Sequence, residues 1–306
     1  MTDKLTAARL RGIFPAIPTP VRADDRIDEA ATRALLRHLL PQGVSGIVPI
    51  GGTGEYGALP RAERVRMTAL CADEAAGRVP VIPGVLDPGF HDALDATRAL
   101  AGAGASAAMV VTPYYTNPTQ RGIRDYFVRL ADASPVPVLI YEIPYRTRIA
   151  ITPEVLHELS RHDNIIGMKA CNTDMYHFLK VQAGIADSFA VLSGEDTLLP
   201  VQMAAGATGG IVVTASVLPA TWRRVYELCA AGRHGEAFAL HRTLIPLMDL
   251  AFAETNPGPL KSVLDLVGAA APHLLAPLVP PAAELQQRLR TELQARLVDE
   301  AKLAHA

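Results

Sequence analysis

The chain has 306 residues, of which 49% are hydrophobic and 20% charged, and its formal net charge is −2. This length fits one large barrel or two ordinary domains. The balanced charge, with acids and bases spread along the chain, argues against nucleic acid and anionic membranes as the main partners. Three widely separated cysteines without a CxxC pair indicate a reducing compartment and no structural zinc site.

The N-terminal residues bear on the cellular location of the protein. They lack the apolar segment and the small-residue cleavage site of a secretory signal. No apolar stretch of the sequence reaches the length of a membrane span. We therefore expect a cytoplasmic protein.

Short apolar segments alternate with amphipathic ones along the chain. The apolar segments are β-branched or bounded by Gly or Pro, and they predict buried strands at 13–19, 46–50, 79–84, 107–112, 138–142, 165–169, 190–193 and 209–213. The amphipathic segments predict helices at 28–40, 60–76, 90–103, 119–132, 153–161, 174–185 and 196–205. Asp28 is the predicted N-cap of the first helix, and Thr152-Pro153-Glu154 is typical of a helix start.

This alternation predicts an α/β fold, a (β/α)8 TIM barrel over residues 1–230. A doubly wound open sheet is the alternative, but it would want a G-x-G-x-x-G turn where this chain has Pro18-Thr19-Pro20. Helical segments at 217–231, 234–252, 258–268 and 282–303 follow the last strand. They predict the last barrel helix and a C-terminal helical extension, residues 231–306, within one structural unit.

In such a barrel, the active site lies at the C-terminal ends of the strands. Lys169 and Tyr141 end two of the predicted strands. A lysine kept neutral there is a nucleophile that can form a Schiff base with a ketone or aldehyde, and a nearby phenol can transfer the protons. The alternative is that Lys169 extends to solvent.

Two other strand ends are candidate anion sites. The loop with Gly52, Thr53 and Gly54 offers backbone N–H groups and a hydroxyl that suit a carboxylate or phosphate. It can equally be a tight turn that needs glycine for its dihedral angles. Arg146 suits a second carboxylate by bidentate hydrogen bonding, or it is an ordinary surface arginine.

The remaining polar and aromatic residues near strand ends point less clearly to chemistry. The pair Tyr114-Tyr115 is typical of packing or of an interface. Glu195-Asp196 is predicted to cap a helix that begins near Thr197, with a metal-binding or acid-base pair as the alternative. Seven histidines in or near the amphipathic segments are predicted to lie at the surface, and none of them has metal-ligand spacing: His38, His91, His157, His162, His177, His234 and His241.

Six short strings occur in one order: Gly51-Gly52-Thr53-Gly54-Glu55; Thr112-Pro113-Tyr114-Tyr115 with Asn117-Pro118-Thr119-Gln120; Tyr141-x-x-Pro144-x-Arg146; Ile166-Gly167-x-Lys169; Ser193-Gly194-Glu195-Asp196; and Glu254-Thr255-Asn256-Pro257 followed by Lys261. In this order they resemble the dihydrodipicolinate synthase / N-acetylneuraminate lyase superfamily of class I (Schiff-base) lyases. The resemblance covers about residues 10–270. It is specific for the superfamily and not for one substrate.

The resemblance implies a role for each matching residue. Lys169 would form the imine with the keto carbon of pyruvate or of a pyruvate-yielding 2-oxo acid, and Tyr141 would shuttle protons. Thr53 and its neighbouring backbone amides would hold the pyruvate carboxylate, favoured by helix N-terminal donors. Arg146 would receive the carboxylate of the second substrate. Gly194 and Ile211 would line the pocket.

The resemblance also implies partners. In the superfamily Tyr115 comes from the adjacent subunit and extends the proton relay, which implies a homo-oligomer, a tetramer or a dimer. The imine serves as the electron sink, so that neither a metal nor an organic cofactor is implied.

Two departures from the synthases concern the pocket. Synthases resemble one another in having a hydroxyl residue where Gly52 stands, so Tyr141 and Tyr115 would here be bridged by water or not at all. Glu142 replaces a residue that is usually neutral, and we expect it to add a negative charge beside the pocket.

A third departure concerns regulation. Tyr56-Gly57 and Arg61 differ from the small and polar residues that form a lysine-feedback site in some synthases. We therefore predict no inhibition by lysine.

Three functional hypotheses follow. The first is a synthase that condenses pyruvate with aspartate semialdehyde, favoured by Arg146, Tyr115 and the Glu254-Thr255-Asn256-Pro257 string. The second is an aldolase or dehydratase acting on a 2-oxo-3-deoxy sugar acid, such as 5-dehydro-4-deoxyglucarate, favoured by Gly52 and Glu142. The third is a catalytically idle barrel that binds small anions. It would predict the loss of Lys169 or Tyr141, and both are present.

Overall fold

Seven parallel strands form one curved sheet in the computed structural model, which describes residues 4–304. The sheet order is β1-β7-β6-β5-β4-β3-β2. All of the paired strands are parallel, and their residues are buried, as expected for a sheet that helices cover on the outside. The strands are β1 Gly12–Pro15, β2 Gly84–Val85, β3 Ala108–Val111, β4 Val138–Glu142, β5 Ile165–Ala170, β6 Ala190–Ser193 and β7 Gly209–Val212.

The segment at residues 45–49 joins the two edges of this sheet. Val48 donates its N–H to the carbonyl of Pro15, 3.0 Å away, beyond β1 on one side. On the other side Ile82 donates to the carbonyl of Ile47 at 2.9 Å. The segment forms only isolated parallel bridges, to Ala16 and to Val81. Nevertheless it closes the sheet into a barrel.

The strands predicted at 46–50 and 79–84 are thus shorter than expected. Pro49, Pro80 and Pro83 lie within these two segments and lack the backbone N–H that a continuous ladder needs. The predicted (β/α)8 fold class is confirmed, although the segment at residues 45–49 contributes isolated bridges and not an eighth full strand.

Thirteen α-helices lie in the described part of the chain. They are α1 Glu29–Leu39, α2 Arg61–Ala75, α3 Phe90–Gly102, α4 Gln120–Ala133, α5 Pro144–Thr147, α6 Pro153–Leu159, α7 Met175–Gln182, α8 Leu199–Ala204, α9 Pro219–Ala230, α10 His234–Arg242, α11 Ile245–Ala251, α12 Gly258–Lys261 and α13 Ala283–Ala304. None of these helices is long and apolar enough to cross a membrane.

Local signals explain several helix ends. Asp28 caps α1 as predicted, because its Oδ1 accepts the N–H of Ala31 at 3.0 Å. Thr152 occupies the N-cap position of α6, but its side chain accepts no backbone N–H there. The helix predicted at 234–252 is two helices, since Pro246 stands in the first turn of α11.

The C-terminal helix α13 packs against α9 and α11. Its Glu300 carboxylate accepts the backbone N–H groups of Ala220 and Thr221 at the start of α9, at 2.6 and 2.8 Å. These contacts satisfy donors that a helix N-terminus leaves free. The division into a barrel of residues 1–230 and an extension of residues 231–306 stays a prediction, and its terminal residues 1–3 and 305–306 lie outside the described part.

Candidate active site

Tyr141 and Lys169 lie side by side at the C-terminal ends of β4 and β5. They are register partners in the parallel ladder, so their side chains point to the same face. The Lys169 Nζ lies 4.8 Å from the centroid of the Tyr141 ring, within cation–π range. Tyr141 is 4% exposed and Lys169 is 5% exposed. Lys169 therefore does not extend to bulk solvent.

A cavity of about 820 Å³ opens at this end of the barrel. Lys169 and Tyr141 line it, and four other residues predicted for the site line it as well: Gly52, Thr53, Arg146 and Gly194. The barrel thus brings together residues that are up to about 140 positions apart in the sequence.

Three predicted residues lie elsewhere. Ile211 is fully buried in β7 and does not border the cavity, whereas Val213 does. Gly54 lies inside the turn, where an added Cβ would come within 2.5 Å of the Ile50 backbone. Tyr115 is 91% exposed and does not line this chain's own cavity.

Thr53 is the buried hydroxyl of the cavity floor. Its Oγ1 accepts a hydrogen bond from Asn256 Nδ2 at 2.9 Å, which leaves the hydroxyl proton free to be donated to a ligand. Asn256 belongs to the C-terminal part of the chain and also lines the cavity. The hydrogen bond therefore connects the last of the six matching strings with the first, the loop that carries Thr53.

The donors around Thr53 come from a turn and not from a helix. We expected helix N-terminal donors here, but α2 begins only at Arg61. The N–H groups of Gly54 and Glu55 are hydrogen-bonded within the turn, to the carbonyls of Gly51 and Gly52. Among the described residues, no backbone partner is found for the N–H groups of Gly52 and Thr53. These two amides are therefore the donors available to an anion.

A fully buried ion pair holds the turn in place. Lys261 Nζ donates to Glu55 Oε1 at 2.6 Å, and the Leu275 N–H donates to Glu55 Oε2 at 2.8 Å. Both charged side chains are 0% exposed. Burial lowers the pKa of Lys261, and the Glu55 carboxylate opposes that effect. The pair ties the loop of Thr53 to the C-terminal region.

Glycine is sterically required at one position of the site, Gly194, and not at another, Gly52. A Cβ at Gly194 would lie 2.2 Å from Cys171 Sγ and 2.9 Å from Lys169 Cγ, so only glycine fits beside the lysine. A Cβ at Gly52 would meet nothing nearer than the Tyr141 hydroxyl, at 3.8 Å. A side chain is therefore sterically allowed at Gly52, and its absence leaves the Tyr141 hydroxyl facing open cavity.

Glu195 is a cavity residue for which the sequence favoured a helix cap, with a metal-binding or acid-base pair as the alternative. We predicted that Glu195-Asp196 would cap a helix, which is wrong, because α8 begins at Leu199 and its N-cap is Leu198. Glu195 lines the cavity, and burial raises the pKa of its carboxyl to about 7, while the positive charge of Lys169 opposes the rise. Its place at the end of β6 was the signal that could have found it.

Asp196, the residue that follows Glu195, has a structural role. Its Oδ1 accepts the N–H of Val213 at 2.8 Å, and its Oδ2 accepts the N–H and hydroxyl of Thr214 at 2.7 and 2.6 Å. Its carbonyl lies 2.8 Å from the Nε2 of His241, which is 4% exposed. The prediction that His241 lies at the surface is wrong, and burial lowers its pKa.

Contrary to our expectation, Glu142 does not place a charge beside the cavity. It follows Tyr141 in β4, so its side chain points to the opposite face of the strand, where it is fully buried. Its Oε1 accepts the N–H of Ile151 at 3.1 Å and lies 3.6 Å from His177 Nε2. Burial raises the pKa of Glu142 to about 7.

A second cavity, of about 470 Å³, adjoins the first and shares Gly52, Tyr141 and Arg146 with it. Tyr56 lines it and donates a hydrogen bond to Asp87 at 2.6 Å. The Arg64 guanidinium lies 3.7 Å above the Tyr56 ring. This cavity wall therefore carries a hydrogen-bonded phenol with a stacked cation.

The candidate site holds few metal ligands. Among residues 4–304, no group of three or more His, Cys, Asp or Glu side chains is arranged to hold a metal ion. The chemistry that these residues can supply is a nucleophilic amine, a phenol, a carboxyl with a pKa near neutrality, and donors for two anions.

A parallel barrel with a buried lysine beside a buried tyrosine at its strand ends defines a Schiff-base lyase. The model of the dihydrodipicolinate synthetase family matches residues 9–296. The chain belongs to this family, which confirms the resemblance found in the sequence.

Individual relatives agree with this assignment. The 4-hydroxy-tetrahydrodipicolinate synthase of Methylobacterium radiotolerans is 39% identical over 306 residues, covering 100% of this chain and 98% of that protein. A solved monomeric dihydrodipicolinate synthase variant is 28% identical, with a TM-score of 0.92, and covers 99% of this chain and 100% of its own. The solved enzyme of Cyanidioschyzon merolae with lysine bound is 28% identical, with a TM-score of 0.90, and covers 94% and 98%. These names favour the first of the three hypotheses.

Proposed function

We propose that this chain condenses pyruvate with aspartate semialdehyde, the reaction of a 4-hydroxy-tetrahydrodipicolinate synthase. The observation that carries the proposal is the placement of Lys169 Nζ 4.8 Å from the Tyr141 ring, inside a cavity that also holds Thr53 and Arg146. The names of the full-length relatives support it.

In the proposed reaction, Lys169 attacks the keto carbon of pyruvate and forms an imine with loss of water. Loss of a proton from C3 then gives an enamine, which adds to the aldehyde carbon of the second substrate. Tyr141 relays protons at C3. Burial raises the pKa of Tyr141 well above its usual value, so the phenol stays neutral and acts as a hydrogen-bond donor.

Two groups orient the substrates. The hydroxyl of Thr53 and the N–H groups of Gly52 and Thr53 hold the pyruvate carboxylate at the cavity floor. Arg146, exposed on the short helix α5, borders both cavities and receives the carboxylate of the second substrate at the mouth. Gly194 leaves room for the lysine chain, as the short Cβ distances at that position require.

We propose that the reaction needs no metal and no organic cofactor. The protonated imine withdraws electrons from C3, which is the task that a cofactor would otherwise perform. The carbon–carbon bond is formed between the two substrates alone.

A sugar-acid aldolase or dehydratase is the second candidate. Gly52 favours it, because the Tyr141 hydroxyl has no side-chain hydroxyl beside it from that position. The cavity also presents Glu195, Tyr145 and Asp249, which are polar groups suited to substrate hydroxyls. Glu142 no longer favours this candidate, since it faces away from the cavity.

We propose that two copies of this chain associate so that Tyr115 of each approaches the other's cavity. Tyr115 is 91% exposed and has a φ of +75°, an uncommon conformation for an aromatic residue. An interface between two copies of the chain would explain both the exposure and the backbone conformation of Tyr115. Because a monomeric variant exists among the structural relatives, the oligomeric state requires measurement by light scattering.

We also propose that the enzyme works in the cytoplasm. The three cysteines are free and buried, which suits a reducing compartment.

The deciding experiment is borohydride reduction in the presence of pyruvate, followed by peptide mass mapping. A reduced pyruvyl adduct on Lys169 is expected. An adduct that forms only with a 2-oxo-3-deoxy sugar acid would move the assignment to the second candidate. With neither adduct, the idle anion-binding barrel would be the best remaining hypothesis.

A further inference from the structure

Glu195 lies beside the reacting lysine although nothing in the proposed steps uses it. Ala170 and Ser193 are register partners at the ends of β5 and β6, and the Gly194 N–H donates to the Ala170 carbonyl at 2.8 Å. This contact places the strand end that carries Glu195 against the strand end that carries Lys169. Both side chains line the same cavity.

Glu195 lines the cavity, and one oxygen of its carboxyl, Oε1, is buried and has no hydrogen-bond partner among the described residues. Within residues 4–304 it forms no ion pair shorter than 4.0 Å with Lys169, yet the charge of the lysine still lowers the pKa of Glu195 against the effect of burial. Because both residues line one cavity, a substrate oxygen bound in that cavity can approach both groups.

Imine formation has a proton requirement that this geometry can meet. The lysine ammonium and a ketone become an iminium ion and water, so two protons move from the nitrogen to the departing oxygen. Tyr141 can relay these protons but cannot store one, because burial raises its pKa well above the usual value and a neutral phenol accepts a proton only while it gives one away. A group that can be both charged and neutral near pH 7 can hold the proton between the steps.

We propose that Glu195 is a further catalytic residue, whose carboxylate carries protons from Lys169 Nζ to the substrate oxygen. This inference rests on the proposed function. The carboxylate takes the first proton from the ammonium, the free amine adds to C2, and the proton passes to the oxygen to give a hydroxyl. The carboxylate then takes the second proton from nitrogen and delivers it to the hydroxyl. The C–O bond breaks, water leaves, and Glu195 ends as a carboxylate.

The other acids near the site are unsuited to this task. Both oxygens of Asp196 are occupied by the 213–214 segment. Glu142 faces the helical layer, and Asp249 and Glu254 are exposed at the mouth. The Cys171 thiol donates to the Gly194 carbonyl at 3.3 Å, and burial raises its pKa.

The test is the rate of imine formation with pyruvate, measured by rapid mixing with borohydride quenching across pH values from about 5 to about 9. The native enzyme should form the Lys169 adduct faster as the pH rises through about 7, where Glu195 becomes ionised, and then level off. Glu195→Gln should be about 100-fold slower and lack this pH dependence. Glu195→Asp should retain the pH dependence at a reduced rate.

Glu142→Gln is the matched control, because Glu142 is also a buried carboxyl with a pKa of about 7 but does not face the cavity. It should keep both the native rate and the native pH dependence. A Glu195→Gln variant with a rate within about threefold of native and an unchanged pH profile would overturn the inference. If the native enzyme itself forms no pyruvate adduct, the proposed function fails instead, so the two failures are distinguishable.

Discussion

Lys169 and Tyr141 occupy paired positions on adjacent parallel strands, and the ammonium of the one lies 4.8 Å from the ring centroid of the other. The pairing fixes both side chains on the inner face of the barrel, because residues in register point the same way. The remaining features of the site are arranged around this pair. It therefore provides the first two predictions.

Lys169→Ala should abolish turnover, since no other group in the cavity can form the imine. The measurement is steady-state synthesis from pyruvate and aspartate semialdehyde. Lys180→Ala, at an exposed lysine of α7, is the matched control and should behave as the native enzyme. Substantial residual activity in the Lys169 variant would refute the scheme.

Tyr141→Phe should slow catalysis by about two to four orders of magnitude, the usual scale of general acid–base help. Tyr126→Phe serves as the control, because the Tyr126 hydroxyl is also buried but lies on α4, outside both cavities. The measurement is kcat of the two variants, which should fall in Tyr141→Phe and stay native in Tyr126→Phe. A loss of less than about threefold at Tyr141 would reassign the proton relay to another group.

Thr53→Val should raise the KM for pyruvate by about 10- to 100-fold, because a hydrogen bond to a charged group contributes about 1.5–3 kcal/mol. The exchange keeps the shape of the side chain and removes the hydroxyl that Asn256 supports. Thr197→Val, at an exposed threonine on the cavity rim, should leave KM unchanged. An unchanged KM in the Thr53 variant would place the pyruvate carboxylate elsewhere.

Lys261→Met should lower the free energy of unfolding by about 3–5 kcal/mol, since it leaves the Glu55 carboxylate buried without a counter-ion. Urea unfolding measures the change. The double variant Glu55→Gln, Lys261→Met removes both charges and should recover part of the loss. Equal stabilities of the single variant and the native protein would show that the pair is not needed to hold the turn.

Lysine at millimolar concentration should not inhibit the enzyme. The Tyr56 hydroxyl is already bound to Asp87, and the Arg64 cation stacked on its ring disfavours a second ammonium. Activity assays with added lysine test this expectation. The relative from Cyanidioschyzon merolae, whose solved structure contains lysine, is the positive control for a binding measurement. Lysine-dependent loss of activity would contradict the prediction.

Several features of the fold could be predicted from the sequence alone. The alternation of apolar and amphipathic segments was enough for the barrel, because strand and helix periodicities differ and parallel strands need helical crossovers. Asp28 was found from its residue type and position alone. Pro49, Pro80 and Pro83 explain why two predicted strands are shorter, and that effect could have been anticipated.

Other residues could not be assigned in this way. Glu195 was taken for a helix cap and Glu142 for a cavity charge, and both assignments were wrong. Adjacent positions of a strand face opposite sides, so a single step in sequence decides between cavity and helical layer. The contact between Asn256 and Thr53 joins residues about 200 positions apart, which no local pattern can indicate.

The sequence by itself determined the fold class, the family and the identity of the reacting pair, because these depend on local periodicity and on short strings around strand ends. Only the tertiary structure decided which acids face the cavity, which amides are free to bind an anion and which buried charge is paired. Those properties depend on burial and on distances between distant segments. They set the electrostatic environment, and hence the pKa, of each group.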